Sequence, residues 1–216
     1  MPRPQRKHAR VLLVEGRDDR EVVYQFCNRR RIENRDCFEV DDCDGYDGLR
    51  GRIAIELKTD RDTIGILVDA DTNLSSRWQS LHDVLAPHYP DSVPEQPSPG
   101  GLILESKERW QKRCGIWVMP DNVRGGMLED FLLALIPDGN ELLRHARQVI
   151  ASLPEIRFIQ EHRAKAELHT WLAWQAQPGT PLGLALERRY LDADHALAQR
   201  FHDWLVALFE VPSASA

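Results

Sequence analysis

Apolar residues in this chain fall into short continuous runs separated by longer stretches of helical spacing. "ARVLLVEG" (9–16) holds four consecutive apolar residues and ends in an acid and a glycine. A run this short predicts a buried strand rather than a helix. "DDREVVYQFCNRRRI" (18–32) follows, with Val22, Val23, Phe26 and Cys27 at helical spacing. "CFEVDDCDG" (37–45) predicts a second strand. "YDGLRGRIAIELKTD" (46–60) carries Leu49, Ile53 and Leu57 four apart, the stripe of an amphipathic helix. "TIGILVDAD" (63–71) is the clearest strand, and "SSRWQSLHDVLAPH" (75–88) predicts a helix capped by Ser75 or Ser76. "DSVPEQPSPGG" (91–101) is a loop by its proline and glycine content. "GLILES" (101–106) and "CGIWVMPD" (114–121) predict two adjacent strands, and "GGMLEDFLLALI" (125–136) a helix opened by a glycine pair.

From about residue 140 the signal is helical only. "ELLRHARQVIASL", "RFIQEHRAKAELHTWLAWQAQ", "PLGLALERRYL" and "HALAQRFHDWLVALF" are punctuated by Pro154 and "QPGTP", and "VPSASA" reads as a frayed tail. The alternation of strands and helices before that point predicts an α/β fold, a mainly parallel sheet flanked by helices. The expected organisation is an α/β domain over residues 1–138 and a helical C-terminal extension over 139–216 packed on it.

Composition narrows the function only slightly. The chain has 216 residues, 42% hydrophobic and 29% charged, with a formal net charge of −6. That is an ordinary folded composition and rules out a uniformly basic nucleic-acid binder, though not a local basic face. No apolar run approaches the roughly 20 residues that span a bilayer, and the basic start "MPRPQRKHAR" lacks the apolar segment of a secretory signal. The expectation is a cytoplasmic protein with no membrane partner. Cys27, Cys37, Cys43 and Cys114 form no C-x-x-C pair, so free thiols are expected rather than a zinc site.

The chemistry concentrates at strand ends. In an open α/β sheet, ligands bind beyond the carboxyl ends of the strands. The first strand ends in Glu15 and the third in Asp69-Ala70-Asp71. If those strands are neighbours, three carboxylates share one cleft and need a cation. Oxygen ligands without His or Cys suit Mg²⁺ or Mn²⁺, and such ions handle phosphates. Taken singly, each acid also fits an ordinary role as a solvated strand end or a helix cap.

These residues resemble the Toprim family, whose Rossmann-like catalytic domain is shared by topoisomerases, primases and OLD-family nucleases. Its pattern E-G-x-x-D stands here as Glu15-Gly16-Arg17-Asp18-Asp19, and its D-x-D as Asp69-Ala70-Asp71. The resemblance covers residues 10–135. "MPDN", "GMLEDFLL" and "KAELHTWLAWQAQPG" are similar to the small stand-alone Toprim-like proteins of the DUF3226 type. The resemblance implies that Glu15 is a general acid/base or metal ligand and that Asp69 and Asp71 hold Mg²⁺. Gly16 then turns the backbone under the site, and Asp19 supports it from the first helical turn. By position, Glu129 beside the glycine pair could complete the acidic cluster, and Asp121, just beyond another strand end, could support the site; the resemblance implies Lys165 as a catalytic cation. Each has an ordinary alternative: Glu129 a helix-dipole acid, Lys165 a solvated lysine, Asp121 a turn aspartate. His169 stands four residues from Lys165, and Trp171 and Trp174 read as core.

The implied function is a metal-dependent nuclease acting on DNA or RNA, so nucleic acid is the implied partner. The sequence carries no separate tyrosine domain, zinc module or G-x-x-x-x-G-K-[ST] that the larger relatives use. Two rivals stand beside it. "ILVDADTN" also fits a haloacid-dehalogenase-type phosphatase with Asp69 as nucleophile. A Toprim-like core could also bind nucleotide or nucleic acid through Mg²⁺ without cleaving it. The basic runs "RKHAR" and "NRRRIENR" (28–35) fit a backbone grip as well as solvated helix ends. Neither a protein partner nor a homo-oligomer is readable from the pattern.

Overall fold

A computed structural model describes residues 9–32, 37–105 and 111–211. Most of "RKHAR", the later part of "NRRRIENR" and the tail "PSASA" lie outside the described residues.

The first strand, β1 (Arg10–Val14), leads into α1 (Arg17–Arg30), β2 (Glu39–Asp42), α2 (Tyr46–Glu56), β3 (Thr63–Asp69) and α3 (Leu74–Leu85). Next come β4 (Leu102–Leu104), β5 (Arg113–Met119) and α4 (Leu128–Ala134). The remainder is helical: α5 (Glu141–Ala151), α6 (Arg163–Ala173), α7 (Leu182–Glu187) and α8 (Ala196–Phe209). The sheet order is β2-β1-β3-β5-β4. Four strands are parallel and β4 pairs antiparallel with β5, as the adjacent apolar runs predict. The mostly parallel α/β sheet expected from the alternation is therefore the observed fold.

Alternation within each strand divides the core into two layers. Leu12, Val14, Leu67, Trp117 and Met119 point to one face. Val11, Leu13, Ile66, Val68, Ile116 and Val118 point to the other, where α2 and α3 lie. Both faces are apolar because both are covered, as parallel sheets require. The stripe Leu49, Ile53 and Leu57 is buried in that second layer.

The C-terminal helix closes the first face. Gly65 and Gly115 are partners in the register of β3 and β5. A Cβ would stand 2.9 Å from the Phe209 ring at Gly65 and 2.5 Å from Leu208 at Gly115. Two adjacent glycines thus make a groove that seats the end of α8, and α8 shares its core with β1, β3 and β5.

Three local expectations are corrected. The cap of α3 is Asn73, whose side chain accepts from the Ser76 N–H at 3.0 Å, rather than Ser75 or Ser76. The long helical stretch "RFIQEHRAKAELHTWLAWQAQ" shortens to α6 plus one 3-10 turn (Gln160–His162). Trp171 is core, but Trp174 is exposed and lies against His145. No helix among the described residues is long and apolar enough to cross a membrane.

Candidate functional site

β1 and β3 are hydrogen-bonded neighbours, with Val14 opposite Leu67. The end of β1 therefore delivers Glu15 beside the end of β3, where Asp69 stands. A Glu15 carboxylate oxygen accepts the Asp69 backbone N–H at 2.8 Å, locking one strand end to the other. Asp69 reaches onward: its Oδ1 accepts the Leu128 N–H at 2.9 Å, at the start of α4. Asp19, in the first turn of α1, accepts the Gly16 N–H at 3.0 Å. Each of these carboxylates is fixed through one oxygen, which leaves it a second.

The next residue of α4, Glu129, is only 4% exposed. The Lys165 ammonium of α6 reaches it at 3.2 Å. Lys165 is thus placed at the acidic cluster rather than on a free helix face.

Asp71 lies further out. Its backbone is left-handed (φ 50°) and its carbonyl accepts the Gly126 N–H at 2.7 Å. The glycine pair is required here: a Cβ on Gly125 would stand 2.9 Å from the Asp71 carbonyl oxygen, and Gly126 has φ 139°. The Asp71 side chain is half exposed and ion-paired with Arg77. The Arg77 guanidinium lies 3.5 Å from the centroid of the Tyr46 ring, a cation–π contact that fixes it in place. Sequence reasoning missed Arg77; its signal is a lone cation in the first turn of the helix after D-x-D. Asp121 acts within its own turn, accepting the Val123 and Arg124 N–H groups at 3.0 and 3.1 Å and pairing with Arg124 at 3.0 Å.

Electrostatics show how crowded the cluster is. Burial raises the Asp69 carboxyl well above the usual range, and the charges of Asp19, Glu15, Glu129 and Asp71 push it further. Burial, with the Glu15 charge behind it, pushes Asp19 up to about 7. Glu15 is raised by burial, although the Asp69 amide and the Arg77 charge oppose this. Burial disfavours the Lys165 ammonium, but Glu129 outweighs that and holds it above its ordinary value. Five carboxylates are therefore coupled, with Lys165 and Arg77 as the cations at their margin.

Only oxygen donors are present, which suits a hard divalent cation such as Mg²⁺ or Mn²⁺. Among the described residues, no three carboxyl, imidazole or thiol groups already converge as a ligand set for one ion. The donor chemistry and the mutual repulsion fit a cation. Burial pushes the Cys27, Cys43 and Cys114 thiols up to about 12, away from the thiolate form. A cleft of about 530 Å³ runs from Asp71 past Arg124 and Asp130 to Arg147, Arg163 and Glu167. Of the five coupled acids, Asp71 is the one that lines it.

A family model described as "Protein of unknown function (DUF3226)" matches residues 9–210. The chain belongs to this family. No curated protein matches the DUF3226 chain. Among solved structures, one similar chain is the C-terminal region of the Xanthomonas campestris pv. campestris OLD protein. Identity is 22%, coverage 91% of this chain and 86% of that one, and the TM-score 0.41.

Proposed function

We propose that the chain is a divalent-metal-dependent phosphodiester-processing enzyme, a nuclease acting on DNA or RNA. The observation that carries this reading is the cluster of half-buried Glu15, Asp19 and Asp69 with buried Glu129 at adjacent strand and helix ends, its mutual repulsion relieved only by Lys165 and Arg77 at the edge. A fold keeps such a cluster against its own stability when function needs it. The Toprim resemblance of Glu15-Gly16 and Asp69-Ala70-Asp71 supports the same assignment.

Glu15, Asp69, Asp71 and Glu129 would hold the cation. When bound, it supplies polarisation of the scissile phosphate and a water of lowered pKa. The chain's own groups do the rest. Glu15, its carboxyl raised by burial, is placed to hold or pass a proton. Lys165, kept charged by Glu129, faces negative charge developing on phosphate oxygens. Asp19 fixes the Gly16 turn that carries Glu15. The cleft beside Asp71 gives a polymer a way in.

A phosphatase using Asp69 as nucleophile accounts for the D-x-D but leaves Glu15, Asp19 and Glu129 without a role. A binding-only protein needs the cation but gives no product. The test is a cleavage assay on single- and double-stranded DNA and on RNA, with Mg²⁺, Mn²⁺ or EDTA, beside Asp69→Ala and Asp71→Ala. Metal-dependent product that vanishes in both variants is the expected result. Full cleavage by either variant defeats the assignment.

A further inference from the structure

The arginines of "NRRRIENR" are left over by the acidic cluster. α1 starts at that cluster and ends about 20 Å away, at about 1.5 Å per residue. α7 lies alongside it in close contact: a Cβ on Gly183 would stand 2.9 Å from the Glu21 carbonyl oxygen. The ends of the two helices enclose a cleft of about 260 Å³, lined by Gln25, Asn28, Arg29, Arg31, Glu187 and Arg189. Three arginines and one glutamate line it.

Neighbouring Arg30 is fully engaged, with Asp194, Gln199 and the Ala193 carbonyl. By contrast, the side chains of Arg29, Arg31 and Arg189 have no hydrogen-bond or ion-pair partner among the described residues, and Arg29 Nε is buried without one. Arg31 and Arg189 both hold left-handed backbone, φ 57° and 59°. Helix ends usually place glycine in that conformation. A helix C-terminus alone explains single arginines there. It does not explain two helix ends meeting with unpaired arginines across one cleft, where like charges repel unless an anion lies between them.

We propose that Arg29, Arg31 and Arg189 form a phosphate-binding site, remote from the acidic cluster, that takes a backbone phosphate of nucleic acid. The identity of the polymer rests on the phosphodiester reading above. Guanidinium forks match phosphate oxygens in charge and geometry. The span of about 20 Å corresponds to about six steps of a duplex at 3.4 Å each, so one substrate can occupy both places. On a chain with net charge −6, this patch is a local grip against general repulsion.

The test is binding of labelled duplex and single-stranded oligonucleotides in EDTA, read by fluorescence anisotropy across about 50–200 mM salt. Wild type is compared with R31G/R189G, in which glycine keeps the left-handed turns and so the fold. The double variant is expected to bind about tenfold more weakly at low salt, with a duplex salt slope shallower by about two. Unchanged affinity and slope overturn the proposal, as does a wild type that binds neither polymer. Arginine-dependent binding of inorganic pyrophosphate without polymer binding also overturns it. Cleavage is scored separately with Mg²⁺: intact arginine-dependent binding with no cleavage counts against the acidic cluster and leaves this site standing.

Discussion

Glu56 is buried just before β3 begins; the half-buried Glu15, Asp19 and Asp69, with the buried Glu129, gather where β1 and β3 end. Glu56 is 0% exposed, yet Arg52 meets one of its oxygens at 2.9 Å and Arg61 the other at 3.3 Å. Thr59 donates to it at 3.0 Å, and Arg61 extends the network to Glu39. The opposite end spends its hydrogen bonds on backbone amides and sets carboxylates against one another. One chain thus shows two ways to hold a carboxylate away from water: complete pairing at Glu56, and at the other end a single cation, Lys165 on Glu129, among acids that repel one another. The paired end is structure. At the other end burial and neighbouring charges hold Asp19 and Asp69 above the usual carboxylate range, a repulsion that added positive charge would relieve.

The comparison is broken most severely at Asp69. Asp69→Asn is expected to lower metal-dependent cleavage by roughly 10³ or more, on the scale of losing a charge-stabilising group at the reacting centre. The same variant should raise the melting temperature of the metal-free protein, since it removes a repelled charge. A lower melting temperature would mean that the cluster is not repulsive. At the paired end the sign reverses. Arg61→Ala should cost about 3–5 kcal/mol in urea unfolding, because it leaves Glu56 and Glu39 short of a partner. A change near zero would show the network to be dispensable.

Lys165→Met probes the margin. Cleavage should fall about 10–100-fold, while Mn²⁺ affinity holds or tightens because Glu129 loses its competing cation. Weaker Mn²⁺ binding would place Lys165 in a different role. The smallest effect is on pH dependence. Asp19 titrates near 7 folded, against about 4 unfolded. Between pH 8 and 6 the folded form takes up the proton and the unfolded chain does not, so stability rises as pH falls. About 1 kcal/mol is expected from Asp19 in that window. Asp19→Asn should flatten the profile, and an equal slope in both proteins would remove Asp19 as its source.

Much of this was legible because short apolar runs mark strands and strand ends are few. Glu15 and Asp69 could be placed at strand ends from "VLLVEG" and "ILVDAD"; that those strands are neighbours was a condition of the reading, and the β1–β3 pairing meets it. The contact of Lys165 with Glu129 was not, since it depends on where α6 crosses α4. Arg77 was hidden for a similar reason: its role comes from the Tyr46 ring, 31 positions earlier in the sequence, on which it rests. Asn73 displaced two serines as a cap because all three have similar capping ability and only the path of the turn decides. Trp174 looked like core by its spacing from Trp171, yet it follows the last residue of α6, where the helical face no longer applies.

The proposed function requires that a divalent cation relieve the repulsion within the acidic cluster. Thermal unfolding of wild type and Asp69→Asn at pH 8, with EDTA or saturating Mn²⁺, measures it directly. The account predicts that Mn²⁺ raises wild-type stability, by about 2.7 kcal/mol at one hundred times the dissociation constant, and leaves Asp69→Asn nearly unmoved. Equal response of the two proteins, or none in wild type, would contradict it.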